Sequence, residues 1–448
     1  MTAVKLSTKQ DMLTQKSSVI HTTELSQARQ ARAALLVLFG MFGVLSTAWA
    51  GRAPSVREAL EVSVGQFGNI IVVGAIGSLV SVAASGVITP RLGSRRSLLV
   101  SFVGAFFGLL ISGVALFLGS VPLFTAGILL NGLATPILNV TQNLEGARVE
   151  QVLGKPVLPQ MHAAFPIGAV LGSGLAALSA RAEIPVGWHL VFMALAATVV
   201  RFYLINRATQ FGATPVRGSL VPNWLRKLHR RSGSVPAVAA RVGRSPWTEP
   251  RTIMLGVLLM AATMSEGSAG NWLNLSVVES FHSPEEFGAL AYATFVVSML
   301  TVRLLGARLL QSFGRVKVLY VSGATALVGL LIFTGAPALP LAWIGIVFWG
   351  AGAAMAWPTV MGAAADEPER APGRLAVTST FSSFSMLVAP PLLGMLGDAW
   401  GLRNALMLIA IPLVVALFVV RAAKPIGEAA SESDPKPTTA QVPLVKAA

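Results

Sequence analysis

Glu266 is a lone charge in an otherwise uncharged run, with Thr252–Ser265 before it and Gly267–Val278 after it. An ionisable group at the centre of a membrane-spanning helix costs about 2.5–3.5 kcal/mol or more, so it needs a reason to be there. One reason is proton coupling, because a carboxyl can accept a proton from one water layer and release it to another. The plainer reason is a structural tie between two helices. Arg52, at the end of the first apolar run, is the expected partner. Trp49 lies beside Arg52 and Asn271 and Trp272 follow Glu266, so these five residues are the candidates for proton coupling or for an outer gate.

A second set lies toward the opposite face. His162 and Arg303 could work with Glu145 or Glu150 in an inner gate, joined by Arg91, Arg95 and Arg96 in a basic turn. Arg303 could instead extend to the lipid headgroups, and His162 could simply be hydrogen-bonded. Near mid-depth, Asn131 and Trp349, with Asn139 lower down, are expected to line a substrate cavity. Amides give directional hydrogen bonds and an indole gives a flat apolar face, which suits a small, partly polar solute. The alternative for such groups is hydrogen bonding between helices.

Other chemistries find little support. There is no cysteine, and the five histidines are scattered singly, so thiolate and histidine-pair metal sites are not expected. Gly154-Lys155 is followed by Pro156, with no Ser or Thr to hold magnesium, so no phosphate-binding loop is read here. No catalytic residue, metal or cofactor is expected, and the chain is not expected to be an enzyme.

The elements that must position these residues are membrane helices. Of 448 residues 54% are hydrophobic and 12% charged, against roughly 25% charged in soluble proteins. Charge-free stretches run over Ala33–Gly51, Val62–Pro90, Ser97–Leu144, Pro156–Ala180, Ile184–Val200, Thr252–Ser265 with Gly267–Val278, Phe287–Val302, Val318–Ala365, Leu375–Gly397 and Asn404–Val420. A span needs about 20 apolar residues, so the two stretches of 48 residues each hold a hairpin, broken at Gly119-Ser120-Val121-Pro122 and at Gly335-Ala336-Pro337-Ala338. The expectation is an all-α polytopic membrane protein with twelve transmembrane helices.

Charge then sets orientation. With both tails inside, 28 of 34 Lys and Arg fall on the cytoplasmic side, Arg52, Arg57, Arg181 and Arg403 fall outside, and Arg201 and Arg303 lie within spans. This satisfies the positive-inside rule and explains a net charge of +15 without nucleic acid. The basic stretch between spans six and seven includes Val221–Arg231, which suits either a helix lying on anionic lipid or a solvated linker.

The stretches 97–144 and 318–365 are offset by 221 residues, as are the turns Gly93-Ser94-Arg95-Arg96 and Gly314-Arg315-Val316-Lys317; Pro136 and Pro358 follow with one residue of slip. Such a repeat implies two pseudo-symmetric six-helix bundles with a substrate site between them near the midplane. The expected division is a tail at 1–32, a bundle at 33–206, a basic linker at 207–250, a second bundle at 251–421 and a tail at 422–448, both tails disordered.

Gly86-Val-Ile-Thr-Pro-Arg91-Leu-Gly93-Ser-Arg95-Arg96 resembles the loop G-x-x-x-D-R-x-G-R-R of the major facilitator superfamily, with Pro90 in place of the Asp. More narrowly, the chain resembles the branch containing MosC and YbjJ-like proteins, in Trp49-Ala-Gly-Arg52-Ala-Pro54, in Asn143-Leu-Glu145-Gly146, in Glu266-Gly267 with Asn271-Trp272, in Arg303-Leu-Leu-Gly306 and in Ala389-Pro390-Pro391-Leu-Leu-Gly394. The resemblance implies a transporter. With the repeat, which implies alternating access, and Glu266, which suits proton coupling, the expectation is a secondary transporter of a small, partly polar solute, a monomer in the bacterial cytoplasmic membrane. A sensor or assembly partner on the same fold is the second reading.

Overall fold

The structure, a computed structural model, describes residues 2–211, 245–367 and 369–426, with side chains from Glu24 onward. The segment Val221–Arg231 and most of the C-terminal tail lie outside these residues. At the other end the backbone corrects an expectation: the first helix begins at Thr2 and runs to Ser46, where a disordered tail was expected. Residues 2–32 contain no Gly or Pro to interrupt a helix, and their Gln, Lys, Leu, Ala and Arg residues favour one.

Eleven helices among the described residues are long and apolar enough to cross a bilayer. Spans one to seven are Glu24–Leu60, Val64–Leu92, Ser94–Phe117, Val121–Leu153, Leu158–Arg181, Val186–Ala208 and Pro250–Phe281. Spans ten to twelve are Leu339–Ala364, Ala371–Trp400 and Leu402–Ala423. The remaining helix, Glu285–Gly335, has 51 residues, about 75 Å if straight and far more than one crossing. It is broken at Gly314, whose φ of 72° and ψ of 164° are not helical, so it contains spans eight and nine and the crossings number twelve. The hairpin breaks fall where the sequence put them, between Phe117 and Val121 and between Gly335 and Leu339.

The repeat is legible in backbone angles. Gly93, 221 residues before Gly314, separates spans two and three with φ 73° and ψ 163°, nearly the same conformation. Only glycine occupies that region without strain, so both halves use one residue to turn the chain at the same place.

Within the first half, span one packs on five and six, span two on four, and span three on four and six; within the second, span seven packs on eleven. Spans two and eleven join the halves on one side, and spans five and eight do so on the other. Ala176 and Ala177 meet Ala289 at the second seam. At the first seam a Cβ on Gly68 would lie 2.6 Å from the Pro390 carbonyl oxygen, so the backbones of spans two and eleven touch. Span one is not continuous. It unwinds over Thr47–Arg52 before the short helix Ala53–Leu60, which places Arg52 at the foot of a bend rather than on a regular helical face.

A clean test of the turn follows, because a Cβ on Gly314 would meet nothing within 4 Å. Gly314→Ala therefore changes backbone strain alone and is expected to cost about 1–3 kcal/mol. Gly362→Ala, inside the helix Ala356–Ala364 and equally open, is expected to be neutral or stabilising. Thermal unfolding of detergent-purified protein distinguishes the two.

Candidate functional site between the two halves

The hydrogen bonds and ion pairs that join the halves gather at the face poor in arginine. Arg52 Nε lies 2.8 Å from Glu285 Oε2 at the start of span eight. Ser55 adds its backbone N–H to Glu285 Oε1 at 3.1 Å and its hydroxyl to Oε2 at 2.5 Å. Arg57 pairs with Glu279, and Asn274 donates to the carbonyls of Ala50 and Gly51 at 3.0 and 2.6 Å. Asp398 in span eleven accepts from the backbone of Val64 at 2.8 Å and of Gly65 at 2.9 Å, and from the Ser63 hydroxyl at 2.8 Å. It thus places an anion on the positive end of span two. Beneath these contacts Phe67 bridges the halves, its ring 6.0 Å from Trp49 and 6.1 Å from Trp272, each edge-on.

Two expected partnerships are corrected. Arg52 does not meet Glu266, since the bend in span one delivers it to Glu285 and to the Ile184 carbonyl instead. Glu266 pairs with Arg303, at 3.1 Å between spans seven and eight of the second half. The same guanidinium donates through Nε to the Ala354 carbonyl at 3.0 Å, where span ten is interrupted between Ala353 and Ala356. Arg303 is therefore neither in an inner gate with Glu145 or Glu150 nor reaching for headgroups. Both partners remain about one-third exposed, 36% for Glu266 and 30% for Arg303.

At the arginine-rich face, Glu145 is fully buried and pairs with Arg148 of its own helix, whose guanidinium also donates to the Ser94 hydroxyl at 3.1 Å. Asp366, 221 positions later, accepts from Arg315 at 2.6 Å and Arg251 at 2.7 Å. Each half thus has an acid at the same register holding the turn at Gly93 or Gly314. Glu150 caps span five, accepting from the N–H groups of Val157 and Leu158 at 2.7 and 3.1 Å. His162 is exposed and stands edge-on to Phe39 at 5.4 Å. Arg95 donates to Asn206 at 3.1 Å, and Arg91 and Arg96 lie exposed in the same turn.

Glu249, just before span seven, binds Arg374 at 2.8 Å, Arg370 at 3.4 Å and Thr252 at 2.8 Å. Burial works against its ionisation. The hydrogen bonds from Thr252 and Arg374 and the charges of Arg374 and Arg370 outweigh it and hold the carboxyl below its usual range.

Between the halves lies a cavity of about 260 Å³, bounded by spans one, two, four, seven and eleven and reached by Arg201 of span six. Asn131, Trp49 and Asn271 line it, as the sequence suggested for Asn131; the other two were expected in the proton-coupling or outer-gate set. Trp349 does not. It is fully buried inside the second bundle, with its indole N–H on the Ser265 hydroxyl at 2.8 Å and its ring against Phe295 and Phe333. Nor is Asn139 among the lining residues, since it accepts from the Asn143 amide one turn along span four. Sequence reasoning missed Glu285, Asp398, Asn274 and Glu279. Glu285 and Glu286 follow Pro284 at a helix start and read as ordinary first-turn acids. Arg201 was visible only as a charge inside a span.

The family model described as Major Facilitator Superfamily matches residues 255–447. A protein of Sinorhizobium fredii named as an uncharacterized transporter is 26% identical over 375 residues, covering 83% of this chain and 93% of that one. The membrane protein MosC of Rhizobium meliloti is 24% identical, covering 84% and 86%. Among solved structures, that of a D-xylose–proton symporter aligns with a TM-score of 0.68 at 16% identity, over 89% of this chain and 97% of that one. The resemblance in the sequence motifs is thus matched by fold and by relatives.

Removing one partner of a buried pair leaves the other charge stranded, at a cost of about 3–5 kcal/mol. With Arg52 at 4% and Glu285 at 15% exposure, Glu285→Gln is expected to fall toward the lower end. Arg52→Met with Glu285→Leu should cost less than the sum of the single changes in a double-mutant cycle of melting stability. For Glu249 the sign is that of a depressed carboxyl: its contribution is complete above the ordinary carboxylate range and is lost as pH falls through the lowered native value. Melting temperature of the native chain should therefore fall more steeply than that of Glu249→Gln as pH drops below 4.5, closing the gap between them.

Proposed function

We propose that this chain, built on the major facilitator superfamily fold, is a secondary transporter that moves a small, partly polar solute by alternating access. The carrying observation is the central cavity between two six-span bundles whose polar cross-contacts gather at the arginine-poor face. With the basic residues placed in the cytoplasm, as the positive-inside rule directs, that face is the outside and the termini are cytoplasmic. The membrane is then the bacterial cytoplasmic membrane, and this conformation is closed outward. To release solute outward, the pairs at Glu285, Glu279, Asn274 and Asp398 must part, and the arginine-rich ends of the bundles must approach.

Proton coupling rests on Glu266. Its partner Arg303 is tied to the interrupted segment of span ten through Ala354. Neutralising Glu266 by protonation weakens the pair, which links the charge state of span seven to the position of spans eight and ten. The name of the D-xylose–proton symporter, whose fold this chain shares, is consistent with that coupling ion.

Alternating access is testable without knowing the solute, because the chain contains no cysteine. Asn271→Cys puts a single thiol on the cavity wall. A membrane-impermeant maleimide is expected to label it in inside-out vesicles and to label it slowly in right-side-out vesicles. Adding Glu285→Gln should raise outside labelling several-fold. Equal labelling from both sides, unmoved by Glu285→Gln, removes the reading. In proteoliposomes Glu266→Gln should retain solute counterflow and lose accumulation driven by a pH gradient, and unchanged accumulation would exclude Glu266 as the coupling group.

A further inference from the structure

Arg201 is the ionisable residue among those lining the central cavity, and its charge has no counter-charge there. The side chain is 3% exposed. Its Nε is buried without a hydrogen-bond partner, and among the described residues no carboxylate lies within ion-pair distance of the guanidinium. One contact is to the Phe102 ring, whose centroid lies 5.3 Å from the guanidinium carbon. A ring under the planar cation stabilises its face and leaves the in-plane N–H donors free. Little of the side chain is accessible, and it lines the cavity rather than extending to the headgroups as a snorkelling arginine does. The acid on span seven, Glu266, is not among the lining residues and is paired with Arg303. The other polar groups on the wall, Asn131, Thr135, Asn271 and Ser385, are neutral, and much of the rest is apolar, including Phe42 and Met264.

A buried cation without a partner in an apolar membrane site is a strongly unfavourable arrangement unless something supplies the negative charge. Resting on the transporter reading above, we infer that the solute is a small organic anion whose carboxylate seats on Arg201. The apolar wall takes its carbon skeleton, and the amides and hydroxyls take its remaining polar groups. The fork of N–H donors on an arginine matches the two oxygens of a carboxylate. The cavity field disfavours cationic solutes, and a neutral solute would leave Arg201 uncompensated.

The test uses matched pairs of acid and neutral compound on the detergent-purified full chain, read by thermal shift and by tryptophan fluorescence, to which Trp49 at the cavity wall contributes. Benzoate against benzyl alcohol and glucuronate against glucose, with inorganic phosphate as a separate arm, distinguish a carboxylate solute from free phosphate. An acid should stabilise the native chain while its neutral twin does not. Arg201→Gln should weaken that acid by about tenfold to a hundredfold, the loss typical of a charged hydrogen-bond partner, and Arg201→Lys should restore part of it. Arg201→Met without ligand should melt at or above the native temperature, because it removes an unpaired buried charge. The inference is overturned if no carboxylate in the panel stabilises the chain, or if phosphate alone does. It is equally overturned if neutral twins bind as well, if Arg201→Gln leaves the acid response intact, or if Arg201→Met is destabilised. Counterflow in proteoliposomes separates this from the transport reading. Arg201-dependent binding without exchange leaves the anion site and removes transport; exchange of a neutral solute indifferent to Arg201→Gln does the opposite.

Discussion

Lipid offers no water to satisfy a polar group, so each charge placed in a span has to be compensated by the protein or by what the protein carries. That constraint sorts the paired and buried ionisable residues in and at the ends of the spans into three kinds. Some hold one bundle together, such as Glu145 with Arg148 and Asp366 with Arg251 and Arg315. Others join the two bundles, led by Arg52 with Glu285 and by Asp398 on the end of span two. Arg201 belongs to neither group, and its cavity position makes a bound ligand the natural source of compensation. Glu266 with Arg303 is intermediate, an intra-bundle pair only partly withdrawn from solvent.

Duplication accounts for the first kind. Glu145 and Asp366 stand at the same offset as Gly93 and Gly314, so each half fastens its turn with an acid on, or just beyond, its fourth span. The halves have since diverged in how the acid is answered. In the second half Arg315, directly after the turn glycine, meets Asp366 itself. In the first half the equivalent position is Ser94, and the cation comes from Arg148 on the acid's own helix, with Ser94 as a second acceptor. Pro90, in place of an aspartate, takes no part in either arrangement. The turn is therefore held across helices by ion pairs in one half and by a hydrogen bond in the other.

Much of this was legible in one sequence, and the boundary is physical. Length and hydrophobicity of a run determine that it crosses the membrane, glycine marks where it turns, and a repeat marks where it turns again. Which residue faces which is set by helix rotation and by bends, and neither leaves a trace in composition. Arg52, at the outer end of span one, and Glu266, within span seven, were plausible partners because the two spans hold equivalent places in the halves. The unwinding over Thr47–Arg52 moved the arginine to an acid 233 positions away that reads as a helix start. Trp349 shows the same limit for burial: an indole in an apolar span satisfies hydropathy equally well toward a cavity or toward its own bundle, and the Ser265 hydroxyl decided for the bundle.

Under the proposed alternating access the contacts that join the halves have to be reversible, and their position bears on that. Arg52 is nearly buried, but Glu285 keeps 15% of its surface and both sit at the edge of the membrane domain, where water can enter as they part. A pair deep in the protein would leave two dry charges on opening, with a penalty of several kcal/mol per ion. Fully exposed pairs contribute about 0–1 kcal/mol and could not hold the face shut against thermal motion on their own. A rim of partly wetted pairs, backed by the dry Trp49–Phe67–Trp272 contact, falls between these limits. The aromatic layer separates the cavity from the arginine-poor face, and the rim supplies directional contacts that hydration can replace. The two together make a seal that is specific when closed and tolerable to break.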